Sequence, residues 1–177
     1  LAMQVSGPNQ QLFYLTHMLD PSKSFLQPEP SPAQVGHTFI MVMGSPDISA
    51  SLEFWQAYFS NDVVGPIPYR IGVLSEAYDL PVETQHPLAL VSMMDGYGIE
   101  IDQYPKEATS VPAPKNERGG VILVSLQVDP SGLKASLPWE LSYKNDEGEE
   151  EGGVVILPSG TPIEVSFTEP MLPAAIE

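Results

Sequence analysis

The sequence predicts an α+β fold built from two similar units. The order strand, helix, strand, strand, strand occurs twice along the chain, at about 36–105 and at 119–169. Each unit closes with Ile-Glu and an aliphatic residue, at Ile99-Glu100-Ile101 and at Ile163-Glu164-Val165. The 19 prolines and 14 glycines favour short elements joined by turns over a helical bundle. An internal repeat of this kind says more about the fold than any single motif does.

The composition excludes several classes of function. Seven Lys and Arg against 23 Asp and Glu give a net charge of −16, which argues against a surface that follows nucleic-acid phosphates. Zero cysteines exclude disulfides, thiolate zinc sites and a cysteine nucleophile. No apolar run approaches the roughly 18 residues of a membrane span, and no signal-peptide pattern is present. We expect a cytoplasmic protein with neither nucleic-acid nor membrane partners.

The first residues predict one strand and a linker. An apolar run at 10–18 follows a Gly-Pro-Asn turn and is typical of a strand. Four prolines at 19–34 indicate an extended linker. The strand resembles the end of a preceding unit, with Tyr14 at the position of Glu100. This suggests either that the chain is the rear part of a four-module protein or that upstream residues were lost.

The first unit begins with a strand at 37–43 and a helix at 48–60. A Ser-Pro-Asp helix start precedes the helix, and its apolar residues recur at three- and four-residue spacing. Pro66 and Pro68 would end any helix that reached this segment. The run at 71–78 fits either a helical turn or a strand. Strands at 86–94 and 98–104 then form a hairpin through an Asp-Gly turn.

The second unit repeats this order in shorter form. A strand at 121–128 leads through Asp-Pro-Ser-Gly into a short helix at 133–136. Strands follow at 139–143, 154–157 and 161–168, with an acidic turn at 145–153. The predicted divisions are a strand and proline-rich linker at 1–35, a first module at 36–105, a linker at 106–118, a second module at 119–169 and a tail at 170–177.

Alternation along the last strand of each unit separates a dry face from a face that bears a carboxylate. Successive residues of a strand face opposite sides of the sheet. Ile99 and Ile101 should pack beneath the helix, with Glu100 and Asp102 on the other face. In the second unit, Glu164 takes the position of Glu100, between the core residues 163 and 165.

Three motifs carry a family resemblance: Val35-Gly36-His37, the helix residues Phe54-Trp55 with Phe59, and Gly98-Ile99-Glu100-Ile101. Together with the doubled β-α-β-β-β order, they resemble the vicinal oxygen chelate superfamily. This superfamily includes glyoxalases, extradiol dioxygenases and bleomycin-resistance proteins. The resemblance implies paired βαβββ modules that form a curved, cup-shaped mixed sheet with helices on its outer face. It also implies a small organic ligand or substrate in the cup and allows a homodimer.

The resemblance implies a divalent metal, Fe, Mn, Zn or Ni, at His37, Glu100 and Glu164, with Glu164 also the candidate catalytic base. The fourth ligand position falls on Val121, because Gly120-Val121 aligns with Gly36-His37, and valine binds no metal. A site without metal therefore stays open. The plain alternatives are a strand-end histidine bonded to a carbonyl and two solvent-facing glutamates.

Three functions follow from the resemblance. The first is a metal-dependent enzyme that stabilises an enolate or delivers O₂ to a bound catecholate. The second is a metal-free binding module of the bleomycin-resistance type, and the third is a degenerate structural module. In each of the first two, the ligand pocket would consist of cup residues from the first strands and from the strand of Glu100: Phe39, Met41, Asp102, Leu123 and Ser125.

Overall fold

The computed structural model describes residues 2–8, 12–28, 30–108 and 123–167. Within them lie ten strands and two α-helices. In chain order these are β1 (Ala2–Ser6), β2 (Leu12–Thr16), β3 (Ile40–Ser45), α1 (Ile48–Tyr58), β4 (Val63–Arg70), α2 (Gly72–Ala77), β5 (Gln85–Ser92), β6 (Gly98–Gln103), β7 (Val124–Val128), β8 (Trp139–Lys144), β9 (Glu150–Ile156) and β10 (Pro162–Phe167).

Two four-stranded sheets share one topology. Their strand orders are β3-β6-β5-β4 and β7-β10-β9-β8. In each sheet the first strand runs parallel to the last, and the remaining neighbours are antiparallel. The predicted repeat is therefore confirmed as two βαβββ-like modules with mixed sheets. We call the half with β3–β6 module 1 and the half with β7–β10 module 2.

Helix α1 forms where the sequence predicts it. The Asp47 side chain caps its first turn by accepting a hydrogen bond from the Ala50 backbone N–H, at 3.1 Å. The apolar stripe turns inward, so Trp55 is only 1% exposed, as is Phe59 just beyond the helix. The run at 71–78, which the sequence allowed to be either a helical turn or a strand, contains the short helix α2.

The predicted helix at 133–136 is wrong, because module 2 has only a 3-10 turn, Pro130–Gly132, before β8. This segment docks on the end of α1 instead. The Ser60 N–H donates to the Gly132 carbonyl and the Lys134 N–H to the Tyr58 carbonyl, both at 2.9 Å. One helix thereby contacts both modules.

The sequence analysis missed strand β4, which contains Pro66 and Pro68. These prolines are tolerated because β4 is the edge strand of its sheet. On an edge strand, proline can sit where an N–H would face solvent, so the sheet loses no hydrogen bond. The register with β5 also shifts between Val64 and Ile67, which marks a bulge at the first proline.

A single hydrophobic core joins the modules. It combines α1 and both sheets, and includes Ile101 of β6 and Val165 of β10, each fully buried. Ile99 and Ile163 are buried beside them, as the predicted alternation requires.

The N-terminal residues form a hairpin of β1 and β2, in which Gln4 lies opposite Tyr14. Strand β2 confirms the strand predicted at 10–18. Strand β1 was not predicted. The proline-rich segment that follows is anchored on module 1 by Leu26, which is 4% exposed and packs against Gly98. Neither helix in the described ranges is long and apolar enough to cross a bilayer.

Candidate functional site

A cleft of about 630 Å³ opens between the first strands of the two modules. Strands β3 and β7 each end their sheet, so each presents one edge to this cleft. Three predicted pocket residues, Phe39, Met41 and Ser125, line it, whereas Leu123 and Asp102 do not. The cleft is also lined by Thr38, Asn61, Met93, Met94, Asp95 and Tyr97.

The lining of the cleft is mainly apolar and rich in thioethers. Met41, Met93 and Met94 come from β3 and from the end of the β5–β6 hairpin, and Tyr97 follows them. Asn61 is held in place, since its side-chain amide donates to the Ser92 carbonyl at 2.6 Å. Flexible methionine side chains adapt to the shape of a flat apolar molecule. Sequence reasoning missed Met93 and Met94 because it placed both in a strand at 86–94, whereas the structure ends β5 at Ser92 and puts them in the connection to β6.

The strand registers correct the alignment of the two modules. Met41 pairs with Ile99 in module 1, and Val124 pairs with Ile163 in module 2, so equivalent positions differ by 124 − 41 = 83 residues. The sequence alignment of His37 with Val121 implies 121 − 37 = 84. A shift of one residue moves a side chain to the opposite face of a strand.

This shift places the predicted pocket residues on different faces. Met41 packs against the hydrophobic core, on the face of Ile99. Ser125 lies on the opposite face, beside Glu164. We call this second face, which carries Glu100 in module 1 and Glu164 in module 2, the cup face. Leu123, just before β7, is 45% exposed.

The structure does not bring the three predicted metal ligands together. His37 lies ahead of β3 and is exposed, while Glu100 and Glu164 are half-buried on β6 and β10. Within the described ranges, no group of three or more His, Asp and Glu side chains could hold a metal ion. Glu164 instead accepts hydrogen bonds from the Ser125 hydroxyl and, at 3.4 Å, from the Tyr143 hydroxyl. These residues do not fit a three-ligand centre, and we derive no catalytic step through one.

Glu100 and Asp102 form a pair of carboxyl groups on the cup face of module 1. Asp102 is only 5% exposed, and its Oδ1 has no hydrogen-bond partner among the residues described. Burial, and then the neighbouring Glu100, raise the pKa of Asp102 to about 7. Burial also raises the pKa of Glu100. We call Glu100 and Asp102 the carboxyl pair.

Two tyrosines lie close to the carboxyl pair. The ring of Tyr104 packs directly over Gly44, where any side chain would collide with it. Tyr14, on β2, lies near enough for the charges of Asp102 and Glu100 to act on its phenol. Burial raises the pKa of both phenols, and the charge of Asp102 adds to the rise. The sequence equated Tyr14 with Glu100 by pattern but did not indicate that the charge of Glu100 would act on the Tyr14 phenol.

Comparison with known proteins identifies the fold. No protein-family model and no curated protein matches the sequence. A glyoxylase/bleomycin resistance protein/dioxygenase domain from Frankia sp. EAN1pec matches with a TM-score of 0.50 and 10% identity, over 79% of this chain and 96% of that one. A glyoxalase family protein from Bacillus cereus matches with a TM-score of 0.49 and 13% identity, over 78% and 98%. Glyoxalase I from Leishmania major matches with a TM-score of 0.46 and 15% identity, over 75% and 86%.

At such identities these matches bear on the fold alone. The match to the Frankia domain spans both modules and agrees with their shared strand order. The architecture that the sequence motifs indicate is thus confirmed: the chain has the same two-module α+β fold as the Frankia glyoxylase/bleomycin resistance protein/dioxygenase domain.

Proposed function

We propose that this protein binds a small, largely apolar organic molecule in the cleft between β3 and β7. The observation that carries the proposal is the cleft itself, about 630 Å³ in volume and lined by Met41, Met93 and Met94. This volume lies within the roughly 300–1,000 Å³ that is typical of small-molecule sites. It suits a molecule of one or two aromatic rings.

The lining favours an aromatic ligand that also carries a polar group. Thioether sulfur and the ring of Tyr97 make favourable contacts with aromatic faces. Asp95, in the turn between β5 and β6, offers an exposed carboxylate at the rim. A hydroxyl or amine on the ligand would bond there while the rings lie against the methionines.

A binding role is better supported than a metal-dependent lyase or dioxygenase. Both of those activities need a metal centre, and the candidate ligands His37, Glu100 and Glu164 do not form a group that could hold one. The cleft requires no metal to bind an apolar molecule. The metal-free alternative of the sequence analysis is therefore the function we propose.

Methionine-methyl NMR tests this proposal directly. The chain has seven methionines, and three of those in the described ranges line the cleft. On titration with 2-naphthol we expect the methyl resonances of Met41, Met93 and Met94 to shift together. The resonance of Met3, in the N-terminal hairpin, should stay in place. Shifts spread over all methionines, or no shift, would contradict a specific site in the cleft.

A matched pair of tryptophan variants locates the ligand. Thr38 is exposed and lines the cleft, so Thr38→Trp should fill its mouth without removing core contacts. We expect affinity for 2-naphthol to fall at least about tenfold, or about 1.4 kcal/mol. Val35→Trp is the control, because Val35 lies nearby, is 65% exposed and does not line the cleft. Equal effects of the two variants would place the ligand elsewhere.

A further inference from the structure

The cleft between β3 and β7 is lined by strand edges rather than by strand faces. Four consecutive residues at 38–41 line one wall, and six consecutive residues at 124–129 line the other. Successive side chains of a strand point to opposite faces, so an unbroken run of residues in one cavity is typical of an edge. Within the described ranges, β3 pairs only with β6 and β7 only with β10. Main-chain N–H and C=O groups on the free side of each strand therefore face the cleft.

The hydrogen bonds of β3 show which of its groups these are. The Gly98 N–H donates to the Phe39 carbonyl at 2.9 Å, and the Tyr104 N–H donates to the Ser45 carbonyl at 2.8 Å. In a parallel ladder, every second residue of a strand bonds to the same neighbour. The odd-numbered residues at 39–45 thus bond on the β6 side. Ile40, which lines the cleft, turns its N–H and C=O to the opposite side.

A residue on an open strand edge offers a hydrogen-bond donor and an acceptor side by side. In a sheet, the next strand fills both groups with the C=O and the N–H of its own main chain. A ligand that carries a single hydroxyl or amine can fill only one of them. A donor or acceptor that loses water without gaining a partner costs free energy. The edge should therefore distinguish between flat aromatic molecules that fit the cleft equally well.

We propose that the ligand of the cleft is a planar aromatic amide whose adjacent N–H and C=O pair with the main chain of Ile40, as a further β-strand would. This inference rests on the proposed function and adds the chemical class of the ligand. The ligand N–H donates to the Ile40 carbonyl, and the ligand carbonyl accepts from the Ile40 N–H. The rings lie against the thioethers of Met41, Met93 and Met94.

The isomers 2-quinolone and 4-quinolone test the proposal. Both have the same two fused rings and the same composition, but only 2-quinolone holds its N–H beside its C=O. In titrations followed by calorimetry or NMR, 2-quinolone should bind at least about tenfold more tightly than 4-quinolone. Equal affinities, or tighter binding of 4-quinolone, would overturn the inference.

The titration with 2-naphthol separates a failure of this inference from a failure of the proposed function. If 2-naphthol shifts the methionine methyl resonances of the cleft but the protein does not prefer 2-quinolone, only the pairing with Ile40 is overturned. If none of the three molecules binds, the proposed function fails as well.

A pair of proline variants locates the amide. Ile40→Pro removes the N–H that faces the cleft and breaks no bond to β6, because residues 39 and 41 make those bonds. We expect it to abolish the preference for 2-quinolone over 4-quinolone. Val42→Pro removes the next N–H along the same edge, outside the cleft lining, and should retain the preference. A preference that survives Ile40→Pro, or that both variants lose equally, would refute the role of Ile40.

Amide NMR of the unaltered chain keeps the test decisive if a proline variant fails to fold. Addition of 2-quinolone should move the Ile40 amide proton to lower field, because this proton gains a carbonyl acceptor. The Met43 amide proton, on the β6 side of the same strand, is the internal control and should stay in place. No shift at Ile40, or equal shifts at both residues, would contradict the proposed pairing.

Discussion

The raised pKa of Asp102 makes the stability of the fold depend on pH, and Asp102→Asn should remove that dependence. Burial and the nearby Glu100 raise the pKa of Asp102 from 3.8 to about 7 in the folded chain. Between these two values the folded state holds a proton that the unfolded state has lost. The free energy of unfolding therefore falls as pH rises from about 4 to about 7.

The size of this effect follows from the shift. One pKa unit corresponds to about 1.4 kcal/mol, so a rise from 3.8 to about 7 corresponds to about 4 kcal/mol at most. Typical domains unfold at a cost of about 5–15 kcal/mol, so such a loss is large. An asparagine has nearly the same shape, carries no charge and can donate a hydrogen bond to Glu100. We expect Asp102→Asn to match the wild type near pH 4 and to exceed it by a few kcal/mol at pH 8.

Urea unfolding from pH 4.5 to 8.5, followed by the fluorescence of the buried Trp55, measures the effect. General repulsion among 23 acidic residues also weakens the fold as pH rises, so the informative quantity is the difference between variants. Asp146→Asn, in an exposed turn, removes one charge without relieving a buried carboxyl. If wild type and Asp102→Asn give parallel pH profiles, or if Asp146→Asn flattens the profile equally, the reasoning about Asp102 is refuted.

Three further predictions concern the core, Gly44 and metal binding. Trp55→Ala should lower the free energy of unfolding, measured by urea titration, by about 3–5 kcal/mol. The reason is that Trp55 is 1% exposed and packs on Phe59, with the ring centroids 4.8 Å apart. A loss below about 1 kcal/mol would contradict a core shared through α1. Gly44→Ala should displace the Tyr104 ring with little loss of stability, because Tyr104 is 39% exposed and its ring can move. Urea unfolding measures the loss, and a decrease of more than about 2 kcal/mol would contradict this reasoning. Elemental analysis of protein purified without chelators should give the same metal content for wild type and His37→Ala, since His37 is exposed and lies ahead of β3; near-stoichiometric Fe, Mn, Zn or Ni that is lost in the variant would contradict this.

Local pattern was sufficient to predict much of the fold. The spacing of Leu52 and Trp55 predicts the buried side of α1, and the capping residue Asp47 marks its start. On β6, period-two alternation separates the core residue Ile101 from Asp102 on the cup face. These predictions succeed because each depends only on the geometry of one element.

Features that depend on contacts between elements could not be predicted in this way. The sequence alignment of the two first strands was wrong by one residue, because no local signal shows that Met41 and Ser125 lie on opposite faces. The face of each residue follows from the pairing of its strand with the last strand of the module. Strand β4 was missed because its prolines disfavour a strand unless it lies at an edge. Burial, and then the charges of Asp102 and Glu100, raise the pKa of Tyr14, an interaction between distant parts of the chain that no local pattern indicates.

The two modules show how one backbone plan acquires different chemistry. Both place a glutamate on the cup face of the last strand, at Glu100 and Glu164. In module 2 nearby hydroxyl groups donate to that glutamate, and Ser166 follows it on the same face. In module 1 the corresponding position holds Asp102, and burial, together with the nearby Glu100, raises its pKa. The chemical difference between the two cup faces therefore depends on the carboxyl at residue 102, while the shared core holds both sheets in place.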